Sequence, residues 1–449
     1  MRRWLAFVLI LAPAAALRAD DWPQFLGPKR DGVWRETGLI EKFPDGGPKE
    51  LWSMPVGMGY SGPAVAGGKV FVTDRVLSQG AENPANPFDK KTVIKGVERV
   101  LAFDDVTGKK LWKHEYPCDY RVSYATGPRC TPSVDGDRVY TLGTMGDLLC
   151  LSVADGKVLW SKNFMTDFGA EVPVWGFSAS PLIDGDKLIC LAGGNKGRLV
   201  MALNKMTGEP IWGALSCTGD FGYCPPVIFQ VGKTRQLIIW HPESVNGLDP
   251  ETGKKLWSQP FAVKAALTAP MPRYDNGKLF VTSFYNGSRM YQLDQEKPGA
   301  ELVWRGKSNS ERRENTDGLH SIMPTPIFHG DNIYGVCSYG DLRCLKSATG
   351  ERVWETLQPT TGKPERWGNA FMVEQGDRVW LFNEQGDLII AKLTPAGYEE
   401  IDRAKILEPT NKLVNRNRPV VWTHPAFANK AVYARNDKEL IKLSAAAAK

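Results

Sequence analysis

The sequence predicts an all-β fold: a single eight-bladed β-propeller of four-stranded antiparallel blades, its ring closed by an N-terminal strand in the last blade. Three observations predict it. A ten-residue phrase ending in tryptophan recurs about every fifty residues. Each phrase closes a run of four short strands joined by tight turns. The last run lacks a strand, and the first segment of the chain has one to spare.

The phrase is FDDVTGKKLW up to Trp112, LSVADGKVLW up to Trp160, LNKMTGEPIW up to Trp212, LDPETGKKLW up to Trp257 and LKSATGERVW up to Trp354. With Trp52 and Trp304 added, successive tryptophans stand 60, 48, 52, 45, 47 and 50 residues apart. Residues 131–160, TPSVDGDRVYTLGTMGDLLCLSVADGKVLW, contain one full unit, with strands expected over 132–134, 138–142, 148–152 and 158–160. The turns are Asp-Gly-Asp, Gly-Asp and Asp-Gly, residues that accept the positive φ of a tight hairpin, so the strands are antiparallel neighbours. A seventh unit, from Ala370, keeps the turns but carries Asp402 where tryptophan is expected. An eighth, HPAFANKAVYARNDKELIKL, stops after three strands, and KELWSMP with Trp52 supplies the fourth. A linear solenoid would need a cap at each end, and neither is visible. In each phrase the acid or Asn and the glycine reverse the chain before the outermost strand. The tryptophan can then cover the gap to a neighbouring blade, while its indole N–H needs one acceptor. Trp52, Trp112, Trp160, Trp212, Trp257, Trp304 and Trp354 are therefore read as structural docking residues.

Residues 1–19, MRRWLAFVLILAPAAALRA, read as a cleaved secretory signal. Arg2 and Arg3 precede an apolar stretch from Leu5 to Leu11 that is too short to span a bilayer, and Leu17, Arg18 and Ala19 offer a cleavage site. The propeller domain is expected over 20–443, with 444–449 as a disordered tail. Loss of the signal removes Arg2, Arg3 and Arg18 and no acid, so the formal charge falls from +6 to +3. That near-neutral value implies neither nucleic acid nor an anionic membrane as partner. The densest basic run, 412–418, reads as a solvated loop. No later stretch is long and apolar enough to cross a membrane, and the first cysteine, Cys118, is far from any lipid-anchor position. The expectation is a monomer, periplasmic or secreted.

The eight cysteines contain no C-x-x-C and no adjacent pair, so haem attachment and the usual zinc or iron–sulfur spacings are absent. Cys118 and Cys130 flank one loop between blades, and Cys217 and Cys224 flank the corresponding loop further on. Bridges 118–130 and 217–224 are expected, with buried free thiols as the competing reading. The histidines, His114, His241, His320, His329 and His424, share no metal-like spacing, and no metal site is expected. Gly57, Gly59 and Gly62 of GMGYSG formally match a dinucleotide fingerprint, but they lead into a strand where that fingerprint needs a helix.

The phrase D-x-x-T-G-x-x-x-W, repeated in an eight-bladed ring, resembles the tryptophan-docking motif of pyrroloquinoline quinone (PQQ) dehydrogenase propellers. Their relatives without cofactor include the outer-membrane assembly lipoprotein of Gram-negative bacteria. The opening DWPQFLGPKRDGVWRETGL is similar to that of exported PQQ-like propellers. The resemblance covers about 20–443 and implies the fold strongly and the chemistry weakly. It implies that a dehydrogenase would stack the quinone, hold Ca²⁺ beside it through oxygen ligands and carry a vicinal disulfide on the quinone face. This sequence has no Cys-Cys pair. PQQ and Ca²⁺ are expected only under the alternative of a quinoprotein alcohol or sugar dehydrogenase.

Alignment of the eight blades sorts the loops that feed the innermost strands. Three residues before the proline, or its substitute, of each first strand stand Tyr60, Arg129, Ser178, Tyr223, Ala269, Met323, Asn369 and Trp422; one residue before it stand Gly62, Thr131, Ser180, Pro225, Met271, Thr325, Phe371 and His424. Such loops line one mouth of a propeller's axial channel. Tyr60, Arg129, Trp175, Tyr223, His320, Trp367, Asn369, Trp422 and His424 are expected to form a mixed aromatic and polar rim. The competing reading is that these loops only plug the axis. Asp119, Asp167, Glu171, Asp220 and Asp317 lie on loops at the same mouth and keep a calcium site compatible with composition, although no motif points to one. The expected function is an exported, non-catalytic scaffold that binds a protein, peptide or small molecule at the rim. The alternatives are the quinoprotein dehydrogenase and a soluble envelope-protein assembly factor.

Overall fold

A computed structural model describes residues 20–413 and 418–448. The expected signal, 1–19, lies outside the described residues, as does the centre of the basic run, 414–417. Eight four-stranded antiparallel sheets form the blades. Seven follow the chain in order, over 64–117, 133–163, 182–214, 227–260, 273–305, 327–356 and 370–405. The eighth takes three strands from 426–444 and its outermost strand from Glu50–Pro55, which pairs antiparallel with Glu439–Ser444. The ring is thus closed by the N-terminal strand. Among the described residues no helix is long and apolar enough to cross a membrane.

The docking tryptophans share one register position. Trp112 faces Ala102, Trp160 faces Cys150, Trp212 faces Ala202, Trp257 faces Gly247, Trp304 faces Met290 and Trp354 faces Cys344, each beside a one-residue bulge. The indole N–H of one blade donates into the turn of the next: Trp52 to the Asp105 carbonyl at 2.9 Å, Trp112 to Val153 at 3.0 Å, Trp160 to Lys205 at 3.0 Å and Trp212 to Pro250 at 3.3 Å. Trp304 and Trp354 repeat this with Ser347 and Thr394, both at 2.8 Å. The phrase glycine lies under the same indole. A Cβ on Gly108 would stand 2.8 Å from Trp52, and one on Gly253 2.5 Å from Trp212; their φ values, +71° for both, also favour glycine.

Two blades depart from the rule. Trp257 donates inside its own blade, to Gln236 Oε1 at 2.6 Å, because the next phrase, DQEKPG, has an extra residue and lacks the tight glycine turn. In blade 7 Asp402 occupies the tryptophan register, opposite Ile390 and beside the same bulge. It accepts the Phe43 N–H at 2.7 Å, and Phe43 packs edge-on against Trp380 at 6.0 Å. The N-terminal segment therefore fills the gap that an indole covers elsewhere.

That segment also crosses the channel. Trp22 bridges Val65 of blade 1, the Pro23 carbonyl accepts from Val134 of blade 2, and Arg30 donates to the Ser180 and Pro181 carbonyls at 2.9 and 2.7 Å. Arg273 of blade 5 donates to the Asp31 carbonyl, and Val33 pairs beside Glu374 of blade 7. Residues 22–34 so run across the innermost strands at the end of the ring opposite the rim loops.

Two expectations are corrected. All eight cysteines are free thiols, so bridges 118–130 and 217–224 are not formed. The partners point into different surroundings: Cys118 packs with Ile94 and Tyr120, whereas Cys130 faces the Phe177 carbonyl in another cluster. Cys224 is buried against the Pro225 and Pro270 carbonyls, while Cys217 is half-buried beside Asp220 and Glu243. The described residues of the expected tail, 444–448, are attached rather than loose: Ala445 is buried and donates to the Lys430 carbonyl, and Ala447 donates to that of Gly38.

Candidate functional site

The rim loops enclose an axial cavity of about 320 Å³. Seven of the eight residues aligned three before the first-strand proline line it (Tyr60, Arg129, Ser178, Tyr223, Ala269, Met323 and Trp422), as do Gly62, Thr131, Ser180, Pro225, Phe371 and His424 from the second row. Radial symmetry brings these residues together, because equivalent positions of every blade face one axis. Phe25 of the crossing segment supplies the floor, its ring 5.2 Å from that of His424. Of the expected rim residues, Trp175 and Trp367 also line the cavity, whereas His320 and Asn369 do not. Both are fully buried behind it; the His320 Nδ1 lies 3.2 Å from the Phe284 carbonyl, and the Asn369 side-chain amide has no partner among the described residues.

The mouth is built from aromatic residues on constrained backbone. Tyr124 and Trp367 both have positive φ, 54° and 67°, which is uncommon for bulky residues. Their rings meet edge-on at 6.3 Å, one from the blade 1–2 connection and the other from the blade 6–7 connection. The 78–95 connection in blade 1 places Phe88 against both, at 5.2 and 6.1 Å, anchored by the Tyr124 N–H to the Pro87 carbonyl at 2.6 Å. Alignment of first strands could not find Phe88, Tyr285 or Phe25, since they come from other connections; a long insertion carrying an exposed aromatic was the available signal for Phe88.

Eleven of the twenty-two lining residues carry rings, counting His424, and the two charged ones are Arg129 and Arg366. Arg129 donates to the Ser123, Tyr124 and Gly127 carbonyls at 3.0, 2.7 and 2.6 Å and forms no ion pair among the described residues. Arg30, beneath the floor, is likewise held by carbonyls and pairs with no carboxylate. Its burial brings its pKa down to about 10, so it stays charged at neutral pH. Arg366 is neutralised by Glu311 at 2.8 Å. Among the described residues no carboxylate lines the cavity. Among the acids singled out from sequence, Asp220 accepts from Tyr223 and Val174, Asp317 accepts from Lys307, and Asp167 accepts from Asn163.

Two titratable groups bear on the walls. Glu384 stands behind Trp422, accepting its indole N–H at 3.1 Å with Arg418 3.3 Å away. Burial raises its pKa to about 7, opposed by Arg418 and by the indole. Burial lowers His424 to about 4. Its Nδ1 donates to the Pro425 carbonyl at 2.9 Å, which leaves Nε2 as a neutral acceptor on a cavity wall.

These features define a class: tryptophan-docked eight-bladed propellers with an aromatic axial cavity. The family described as outer membrane protein assembly factor BamB matches residues 96–356 and, overlapping, 241–449, and the chain belongs to this family. It is 30% identical over 167 residues to the quinoprotein alcohol dehydrogenase PedH of Pseudomonas putida, across 35% of this chain and 24% of that protein. The chain thus matches about a quarter of that relative's length. In structure it is similar to BamB from Moraxella catarrhalis, with a TM-score of 0.55, 16% identity and coverage of 88% of this chain and 97% of that one. It is also similar to the quinohemoprotein alcohol dehydrogenase of Comamonas testosteroni, with a TM-score of 0.61, 13% identity and coverage of 96% and 81%. At these identities the structural likeness is one of fold.

Proposed function

We propose that the protein is an exported binding module, without catalysis of its own, whose axial cavity holds a ligand with a flat apolar body and an anionic group. One observation carries this reading. A cavity walled half by aromatic rings has Arg129 on its wall and Arg30 under its floor, both without carboxylate partners, and no acid lines it. Rings supply dispersion and stacking at low entropic cost, and a cation in apolar surroundings favours an anion. The expected signal and the assembly-factor family support a place in the cell envelope, where the ligand would be a carboxylated aromatic molecule or an acidic, aromatic stretch of an envelope protein.

The dehydrogenase alternative fits less well. The rings could stack a quinone, but calcium needs several oxygen ligands, and a dehydrogenase needs a carboxylate to take the alcohol proton; this cavity wall carries no carboxylate. PQQ, a flat tricarboxylate, is nevertheless a suitable probe. Binding should raise the melting temperature without calcium, and Arg129→Gln should weaken it about ten-fold or more. Trp422→Ala should weaken it as well. Failure of PQQ and of simple aromatic carboxylates to bind would remove the proposal. Calcium-dependent binding with dye-linked alcohol oxidation would establish the dehydrogenase.

A further inference from the structure

Cys217 has neighbours that spacing along the chain does not reveal. It lies on the loop after blade 3, whose last strand is Pro210–Ala214. Thr234–His241 and Ser244–Leu248 of blade 4 are joined by the two-residue turn Pro242-Glu243, with His241 paired to Ser244. This tight turn sets His241 and Glu243 side by side against the loop, and Glu243 Oε1 accepts the Thr218 N–H at 2.9 Å. One ligand atom each from Cys217, His241 and Glu243 lie within 4.8 Å of one another.

The histidine is oriented from behind. Its Nε2 lies 3.0 Å from Ser244 Oγ, whose own hydrogen goes to Asn246 Oδ1 at 3.3 Å. Nε2 therefore carries the ring hydrogen, and the Nδ1 lone pair is left with one weak contact, the Glu243 N–H at 3.4 Å. A hydrogen-bond acceptor on one ring nitrogen with the other held available is the arrangement that metal-binding histidines use.

We propose that Cys217 Sγ, His241 Nδ1 and a Glu243 carboxylate oxygen bind one zinc-type divalent ion, with the fourth position open to solvent beside the exposed Glu243. Three mixed sulfur, nitrogen and oxygen ligands with an open position suit zinc, and a thiolate selects against calcium and magnesium. The ion would clip the blade 3–4 connection, which carries Tyr223 to the cavity wall, onto the blade 4 hairpin.

The test uses the chain freed of metal and titrated with Zn²⁺. One zinc per chain should bind, and the melting temperature should rise with free zinc. Co²⁺ in its place should give a thiolate-to-metal charge-transfer band. Cys217→Ser should lose the band and the bound zinc while keeping the metal-free melting temperature. Glu243→Gln, at an exposed position, should lose most of the affinity without a folding defect. Ser244→Ala should weaken zinc about 10–100-fold by removing the acceptor that orients the His241 ring. Unchanged zinc stoichiometry in Cys217→Ser, or cobalt binding without the charge-transfer band, would overturn the assignment.

Discussion

Glu384 is where a single side chain couples the cavity to pH. Its carboxyl is buried among Arg418, Trp422, Glu365 and the Asn369 backbone. Folded, it holds its proton up to about pH 7; its ordinary value is 4.5. Between these values the folded state takes up a proton that the unfolded chain does not. Stability from this group is therefore full below about pH 4.5 and is lost as pH rises through 7. His424 acts in the opposite sense: with a folded pKa of about 4 against an ordinary 6.5, its contribution is full above 6.5 and is lost as pH falls towards 4. The two slopes oppose between about pH 4.5 and 6.5, so Glu384 stands alone only above that window. Glu384→Gln should flatten the fall in stability between pH 6.5 and 7, and over the whole span from pH 4.5 to 7 it should remove a pH dependence of about 3 kcal/mol. Chemical denaturation of both proteins at several pH values measures it. Parallel curves would mean that Glu384 is ionised at neutrality.

At the scale of the element, the repeated phrase is a two-part joint. Its glycine turns one blade and is also the seat for the previous blade's indole. The joint is absent where Gly299 should receive Trp257. Gly299 has an ordinary φ, and a Cβ there would meet nothing nearer than 3.8 Å. Gly253→Ala should cost about 2–4 kcal/mol, from left-handed strain plus displacement of Trp212. Gly299→Ala should stay within about 0.5 kcal/mol. Equal losses in melting experiments on the two variants would refute the joint. Asp402 extends the same logic, since a carboxylate in the tryptophan register captures the Phe43 backbone and recruits a foreign aromatic to the gap.

For the whole molecule, the N-terminal segment does two separable things. Residues 22–34 cross one end of the channel, and Glu50–Pro55 closes the ring. Deletion of 20–47 should lower the melting temperature yet leave one cooperative transition. Deletion of 20–55 exposes an unpaired edge of blade 8 and should abolish cooperative melting or drive aggregation. If the longer deletion melts with the intact chain, strand exchange does not hold the ring.

The ring, its closure and most of the cavity wall were legible in the amino-acid sequence. Tryptophan spacing and hairpin turns are local signals, and a propeller repeats them at one radius, so aligning blades also aligns wall residues such as Tyr60, Arg129 and Trp422. The exceptions depended on contacts between distant segments. Asn369 aligned with the wall, yet its side chain turns behind it. Cys217 and Cys224 are close in sequence, but their sulfurs face different neighbours. Phe25 and Phe88 reach the cavity from outside the repeat, and His241 meets Cys217 only because two blades abut. Periodicity along the chain encodes which face a residue presents and at what radius. Only tertiary packing decides what a loop, a terminus or an adjoining blade brings to that face, because those contacts depend on backbone paths that no repeat constrains.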